Sequence, residues 1–331
     1  MAVRLLHSTL KPLTTVSADG TEVLDLPVNP LSVLFIRIRP LNDTGTLANF
    51  PHYLLLCGAL DSIRCLYRGA SVFNMPGRDA AAYNYFRHGI VPVDAHSSAS
   101  NVNNDRREVI LPIIFGRFPY DPRSCFPATK RGEFTIELQI DIADTGYDTF
   151  QYGIESVELL NAEPKEYERK AVISKTFAAT GDQDFELPTG YDHRGYLLFG
   201  TTGHTGATPA PTWGSSSLKL MRENQETAYT ATSWQVSRMI AQMMGRQPPI
   251  GADFHKHIVT TDGNAQVELA TLAGPYNQGQ GGWENYGFLD LDPTRDDMLS
   301  VETSGVSSMN LRANVGTADA ARVVPIERVP L

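Results

Sequence analysis

Apolar and polar residues alternate over 134–142. Phe134, Ile136, Leu138, Ile140 and Ile142 interleave with Thr135, Glu137, Gln139 and Asp141. A period of two sends one set to each face of a β-strand, so the segment predicts a half-buried strand. The stretch 307–315 reads the same way, with Met309, Leu311, Ala313 and Val315 set against Asn310, Arg312 and Asn314. Four other runs are almost continuously apolar: 33–36, 53–56, 110–115 and 196–199. They predict strands covered on both faces. Only two segments carry a helical pattern. In 78–89, Asp79 is the expected N-cap, three alanines follow, and Gly89 is the expected left-handed stop. In 232–246, Thr232 and Gln235 form a capping box. Val236, Met239, Ile240, Met243 and Met244 then make one stripe, expected to pack on a sheet.

These elements occur twice in one order. Leu26–Pro27 and Leu187–Pro188 stand 161 residues apart. The strand signals at 63–67 and 218–221 are offset by 155, and the helix-ending Gly89 and Gly245 by 156. Asp121–Pro122 and Asp292–Pro293 are offset by 171, and each precedes an alternating strand. Each copy closes with a further strand, at 154–160 and 321–329. Loop insertions absorb a drift of this size. The chain therefore reads as two copies of one sandwich, 1–164 and 165–331, joined at the charged stretch 161–170. About eight strands per copy with long crossing connections predict an all-β chain of two tandem eight-stranded jelly-roll β-sandwiches, each with a short inserted helix. The long polar connections at 92–105, 201–217 and 272–287 are expected to serve as contact surface.

Composition removes several alternatives. A chain of 331 residues with 42% hydrophobic content builds cores, which excludes disorder. No apolar run approaches the ~18 residues of a membrane-crossing helix. The apolar stretch near Met1 is too short and broken for a signal peptide. A net charge of −9 argues against a sequence-specific nucleic-acid partner bound by phosphate neutralisation. Cys57, Cys65 and Cys125 are odd in number and lack C-x-x-C spacing, so buried thiols in a reducing compartment are expected.

No catalytic constellation emerges. His255 and His257 share one face of an expected strand, but the next carboxylate, Glu268, lies eleven residues on and Gly251 is too close for a cupin-type metal set. Asp121, Asp144, Asp148, Asp290, Asp292, Asp296 and Asp297 sit near turns, where Asx-turns and caps explain them. The run 289–297 is rich enough in oxygen for Ca²⁺, but its spacing is not that of an EF-hand. The glycine-rich 278–282 lacks the Lys-Ser/Thr of a phosphate loop. Arg37, Arg39, Arg106 and Arg107 read as solvated charge or as partners for acidic groups on another subunit. Trp213, Trp234 and Trp283 read as interface anchors or sugar-stacking platforms. No catalytic, cofactor-binding or metal-binding residue is assigned, and no cofactor is expected.

The segment 109–123 followed by 133–144, and 284–297 followed by 307–315, resemble the double jelly-roll major capsid proteins of the tectivirus and adenovirus lineage. The resemblance extends over essentially the whole chain. It implies a structural virion protein with no enzymatic activity. Three copies would form a homotrimer whose six jelly rolls give a nearly six-sided capsomer. Capsomers would tile an icosahedral shell, often over an internal membrane, with neighbouring capsomers and minor capsid or vertex proteins as partners. Localisation would be the virion, after assembly in the host cytoplasm. Two readings from other classes stand beside it. One is a glycan-active enzyme on a double jelly roll, with paired carboxylates in a cleft. The other is a glycan- or receptor-binding β-sandwich using loop aromatics.

Overall fold

The structure is a computed structural model that describes residues 2–42, 53–90, 92–96, 105–142, 149–200, 213–223, 225–231, 286–315 and 319–331. The helix expected at 232–246 lies outside these residues. The chain divides into two compact units. One comprises Met1–Asn84, Ile90–Ala171 and Arg328–Leu331; the other comprises Tyr85–Gly89 and Val172–Glu327.

The first unit contains, in chain order, β1 (Arg4–Val16), β2 (Gly20–Asp25), β3 (Leu31–Asn42), α1 (Tyr53–Gly58), β4 (Leu60–Tyr67), β5 (Ala70–Met75), α2 (Gly77–Tyr83), β6 (Val93–His96), β7 (Asp105–Ile114), β8 (Phe134–Ile140), β9 (Thr149–Leu160) and β10 (Glu166–Ala171). One sheet has the order β1-β9-β3-β7-β6, and the other runs β10-β5-β4-β8-β2. The second unit contains β11 (Ile173–Phe177), β12 (Gly181–Leu187), β13 (Asp192–Gly200), β14 (Trp213–Arg222), β15 (Gln225–Ala231), β16 (Tyr286–Asp290), β17 (Met309–Val315) and most of β18 (Asp319–Pro330). Its strands pair as β16-β13-β18-β11 and β12-β17-β14-β15.

With β6 and β10 set aside, the two pairing diagrams coincide. Counting the remaining eight described strands of each unit in chain order, one sheet runs first, eighth, third, sixth and the other second, seventh, fourth, fifth. That is the crossing pattern of a jelly roll. The duplicated landmarks fall on equivalent strands: β2 with β12, β4 with β14, β8 with β17.

The alternation read in the sequence becomes burial. Along β8 the even-numbered apolar residues turn inward: Phe134, Ile136, Leu138 and Ile140 are buried, with Thr135 and Glu137 on the other face. In β17 the same holds for Met309, Leu311, Ala313 and Val315. These four residues join Phe185, Leu187, Tyr196, Leu198, Leu218 and Leu220 in the core of the second unit.

Two expectations fail. The run 53–56 is not a strand but lies in the short helix α1. A four-residue apolar run fits a buried helix turn as well as a buried strand, because both periods keep it hidden. Asp79 is not an N-cap either. The helix α2 starts at Gly77 after Pro76, and Asp79 sits buried in its first turn. Proline fits that position because it has no N–H to leave unpaired. Gly77 is required there, since a Cβ would stand 2.2 Å from the Cys57 carbonyl oxygen of α1. The helix runs on into a π-helical turn, Asn84–His88. It ends at Gly89, whose φ of +67° is the left-handed stop read from the sequence.

Candidate functional site

Most of the chemistry-bearing residues singled out in the sequence fall into three groups; Asp121 stands apart in the β7–β8 loop, where it accepts from the Arg123 amide. Some lie beyond the described residues: Asp144, Asp148, Trp234, Gly251, His255, His257, Glu268, 278–282 and Trp283. Trp213 lies in β14, and Arg106 and Arg107 lie in β7, with their side chains outside the description. The three cysteines form a second group. All are buried and none is in a disulfide. Burial pushes the Cys125 thiol up to about 12 and the Cys65 thiol well above its ordinary value. Both are held as inert thiols at neutral pH.

The third group is the aspartate-rich run 290–297. Its carboxylates hold arginines and backbone amides. In the second unit Arg87 donates to Asp290 at 2.9 Å and to Asp292 at 3.2 Å, all three nearly or wholly buried. Arg295 donates to Asp290 at 3.0 Å and to the carbonyl of Asp292. Arg194 grips Asp297 with two bonds, 2.7 and 3.0 Å. The remaining oxygens organise the loop: Asp290 accepts from the Asp292 amide, Asp292 from the Asp297 amide, and Asp296 from the Met298 amide. A Ca²⁺ would have to displace these guanidinium groups. Among the described residues no group of three His, Cys, Asp or Glu side chains could hold a metal. Sequence reasoning missed Arg87, Arg194 and Arg295. No local spacing ties Arg87 to aspartates some two hundred positions away, so the signal was absent.

The first unit buries a second polar cluster that spacing did not reveal. Lys170 on β10 donates to the Ile114 carbonyl at 2.7 Å, pairs with Glu168 at 3.1 Å, and lies over the Tyr83 ring. Tyr83 in turn donates to Glu168 at 2.8 Å, and Asn84 donates to the Pro112 carbonyl. Strand β6 stops pairing at Ile110, so the β7 edge beyond it needs donors, and these two side chains supply them.

One charged row is open to partners. It crosses the first sheet of the first unit, strand by strand. His7 on β1 pairs with Glu155 on β9 at 2.8 Å, Glu155 with Arg37 on β3 at 3.3 Å, and Arg37 with Glu108 on β7 at 2.7 Å. The bonds to Glu108 outweigh partial burial and raise the Arg37 pKa further. Beside the row Val33, Ile114 and Val157 form a buried apolar cluster, with Phe35 and Ile90 partly buried against it. Arg39 is half-buried on the same strand. This sheet face carries organised charge, not a cleft with a reacting group.

The comparisons bear on the arrangement of strands. No protein-family model and no curated protein matches the sequence. Solved structures do match. The major capsid protein P2 of bacteriophage PM2 is 11% identical, with 99% of this chain and 98% of that one covered and a TM-score of 0.61. The major capsid protein of Sulfolobus Turreted Icosahedral Virus is 12% identical, with 99% and 97% covered and a TM-score of 0.64. The PBCV-1 virus capsid protein is 9% identical, with 99% and 94% covered and a TM-score of 0.60. The chain has the double jelly-roll fold. The likeness runs from end to end, so both jelly rolls and their order are shared. At this identity it is a likeness of fold, and site residues do not transfer with it.

Proposed function

We propose that this chain is the major capsid subunit of an icosahedral virus. Its two jelly rolls, 1–164 and 165–331, would stand in a homotrimeric, nearly six-sided capsomer. Capsomers would tile a shell in the virion after assembly in the host cytoplasm. Partners are other copies of the chain, minor capsid or vertex proteins, and a lipid bilayer beneath the shell. The chain acts by assembling and not by catalysis.

One observation carries this reading: three capsid proteins share the double jelly-roll arrangement over almost their full length. The surface agrees with it. The row sets Arg37 between Glu155 and Glu108 on a partly exposed sheet face, which suits register-specific contact between subunits. A cyclic trimer needs a heterologous interface that closes after three steps, and obligate interfaces commonly bury ~2,000–5,000 Å². Light scattering of the purified chain tests the proposal. A trimer that persists on dilution is expected; a stable monomer at micromolar concentration overturns it.

A further inference from the structure

We propose that residues 85–89 are a clasp built into the second jelly roll, so that the two jelly rolls fold and unfold as one cooperative system and not as independent repeats. The duplicated pattern divides the chain between 164 and 165, and a plain tandem repeat would complete each core from its own half. The compact units follow a different line. Tyr85–Gly89 belongs with Val172–Glu327, whereas Asn84 and Ile90 on either side of it belong to the first unit. The second unit is thus finished by five residues that the chain lays down between β5 and β6.

The excursion starts and ends at one fixed point. After α2 the chain enters the π-helical turn Asn84–His88, a rare form that occurs mostly as a single turn within a helix and often at functional positions. The Gly89 amide donates to the Tyr85 carbonyl at 2.9 Å and the Ile90 amide to the Asn84 carbonyl at 3.1 Å, which closes the base. The first unit holds that base. The Asn84 side chain donates to the Pro112 carbonyl of β7 at 2.6 Å, and Tyr83 donates to Glu168 of β10 at 2.8 Å.

The tip is committed to the second unit. Strand β16 is buried along both faces. Leu289 joins the core of that unit, so Phe288 and Asp290, one position to either side, lie on the opposite face. The clasp covers this outer face. Phe86 stacks on Phe288 with ring centroids 6.4 Å apart, and the Tyr85 and Phe86 rings meet edge to face. Arg87 donates to Asp290 at 2.9 Å and to Asp292 at 3.2 Å, and Arg295 donates back to the Arg87 carbonyl at 2.9 Å. Tyr85, Phe86 and Arg87 are all buried. Without the clasp, β16 would bare an aromatic face and two buried carboxylates would lose a cation, and both changes destabilise. Contacts that span 203 and 205 positions also close late, because the loop entropy must be overcome first. The second jelly roll therefore reaches its native packing only once the first has set the clasp in place.

The test is calorimetry with native-state hydrogen exchange on the full chain, comparing β8 of the first unit with β17 of the second. The parent should melt in one transition, and the slowest amides of β8 and β17 should be equally protected. Leu311→Ala damages the second core without altering the clasp, so it should speed exchange in both strands equally. Phe86→Ala together with Arg87→Ala should uncouple the units. The β17 amides should then exchange roughly a hundredfold faster than those of β8, and a second, lower melting transition should appear. Phe86→Leu keeps an apolar side chain at the tip and should open a smaller gap of the same sign, which decides the matter even where the double variant does not fold. Two transitions in the parent overturn the proposal. So does a Leu311→Ala effect confined to β17, or equal acceleration of both strands in the clasp variants. These readouts compare strands within one chain, so they stand or fall separately from the trimer test of the capsid reading.

Discussion

Arg87 shows what a buried charge demands of its neighbours. Its side chain is wholly buried, and Asp290 and Asp292 supply the countercharge. Removing this guanidinium takes a countercharge from two buried carboxylates, of which Asp290 keeps Arg295, and breaking one partner out of a buried ionic set costs about 3–5 kcal/mol. Arg87→Ala should therefore lower the unfolding free energy by that amount in urea titration, and a change under about 1 kcal/mol would show the network to be idle. Asp184 illustrates the exposed case. Arg312 holds it with two bonds, 2.7 and 2.8 Å, and those bonds keep its pKa below 3.8 despite partial desolvation. The folded-state value is depressed, so the pair's contribution is complete above pH 3.8 and fades as pH falls through the lower folded value. Both side chains are a third exposed, and the contribution is about 0.2–1 kcal/mol. Asp184→Asn should thus lower the melting temperature slightly at neutral pH, with the difference from the parent shrinking as pH falls below 3.8, as read by calorimetry across pH.

Elements whose pattern is local were legible in the sequence. β8 and β17 alternate strictly, so their faces followed from the period alone, and Leu311 landed in the core of the second unit. Leu311→Ala should cost about 2–5 kcal/mol, checked by chemical denaturation, because the closely packed core of that unit leaves a cavity behind. Elements whose identity depends on distant partners were not legible. The helix α1 hid in an apolar run because its covering by α2 is a tertiary fact; Gly77 packs on the Cys57 carbonyl there. The charged clusters behaved the same way. Lys170 and Glu168 read as two ordinary charges in a polar joint, yet both are fully buried against Tyr83 and the open edge of β7. The aspartates of 290–297 were visible as turn formers, but Arg87 and Arg194 were not visible as their partners, since pairing with residues 203 and 103 positions away leaves no spacing to read.

At the scale of the whole molecule the exposed sheet edges pose the remaining question. β1 ends one sheet of the first unit and β2 ends the other. β1 is 13 residues long and mostly exposed, with a row of backbone groups available to another strand. Pro12 and two register shifts against β9 blunt it, which suppresses open-ended pairing while leaving side chains available for specific contact. On β2, Val23 is 56% exposed and lies opposite Glu137 of β8. Its apolar side chain does little for the fold, so its value would lie in assembly. Val23→Lys separates the two roles. Lysine opposite Glu137 forms an opposite-charge cross-strand pair, so the folded subunit should stay within about 0.5 kcal/mol of the parent. A neighbouring subunit pressed on this edge would instead meet a desolvated charge, and trimer or particle yield should fall. Melting curves measured beside light scattering decide it. Unchanged melting with reduced assembly places β2 in an interface; unchanged assembly shows that this edge faces solvent in the capsomer.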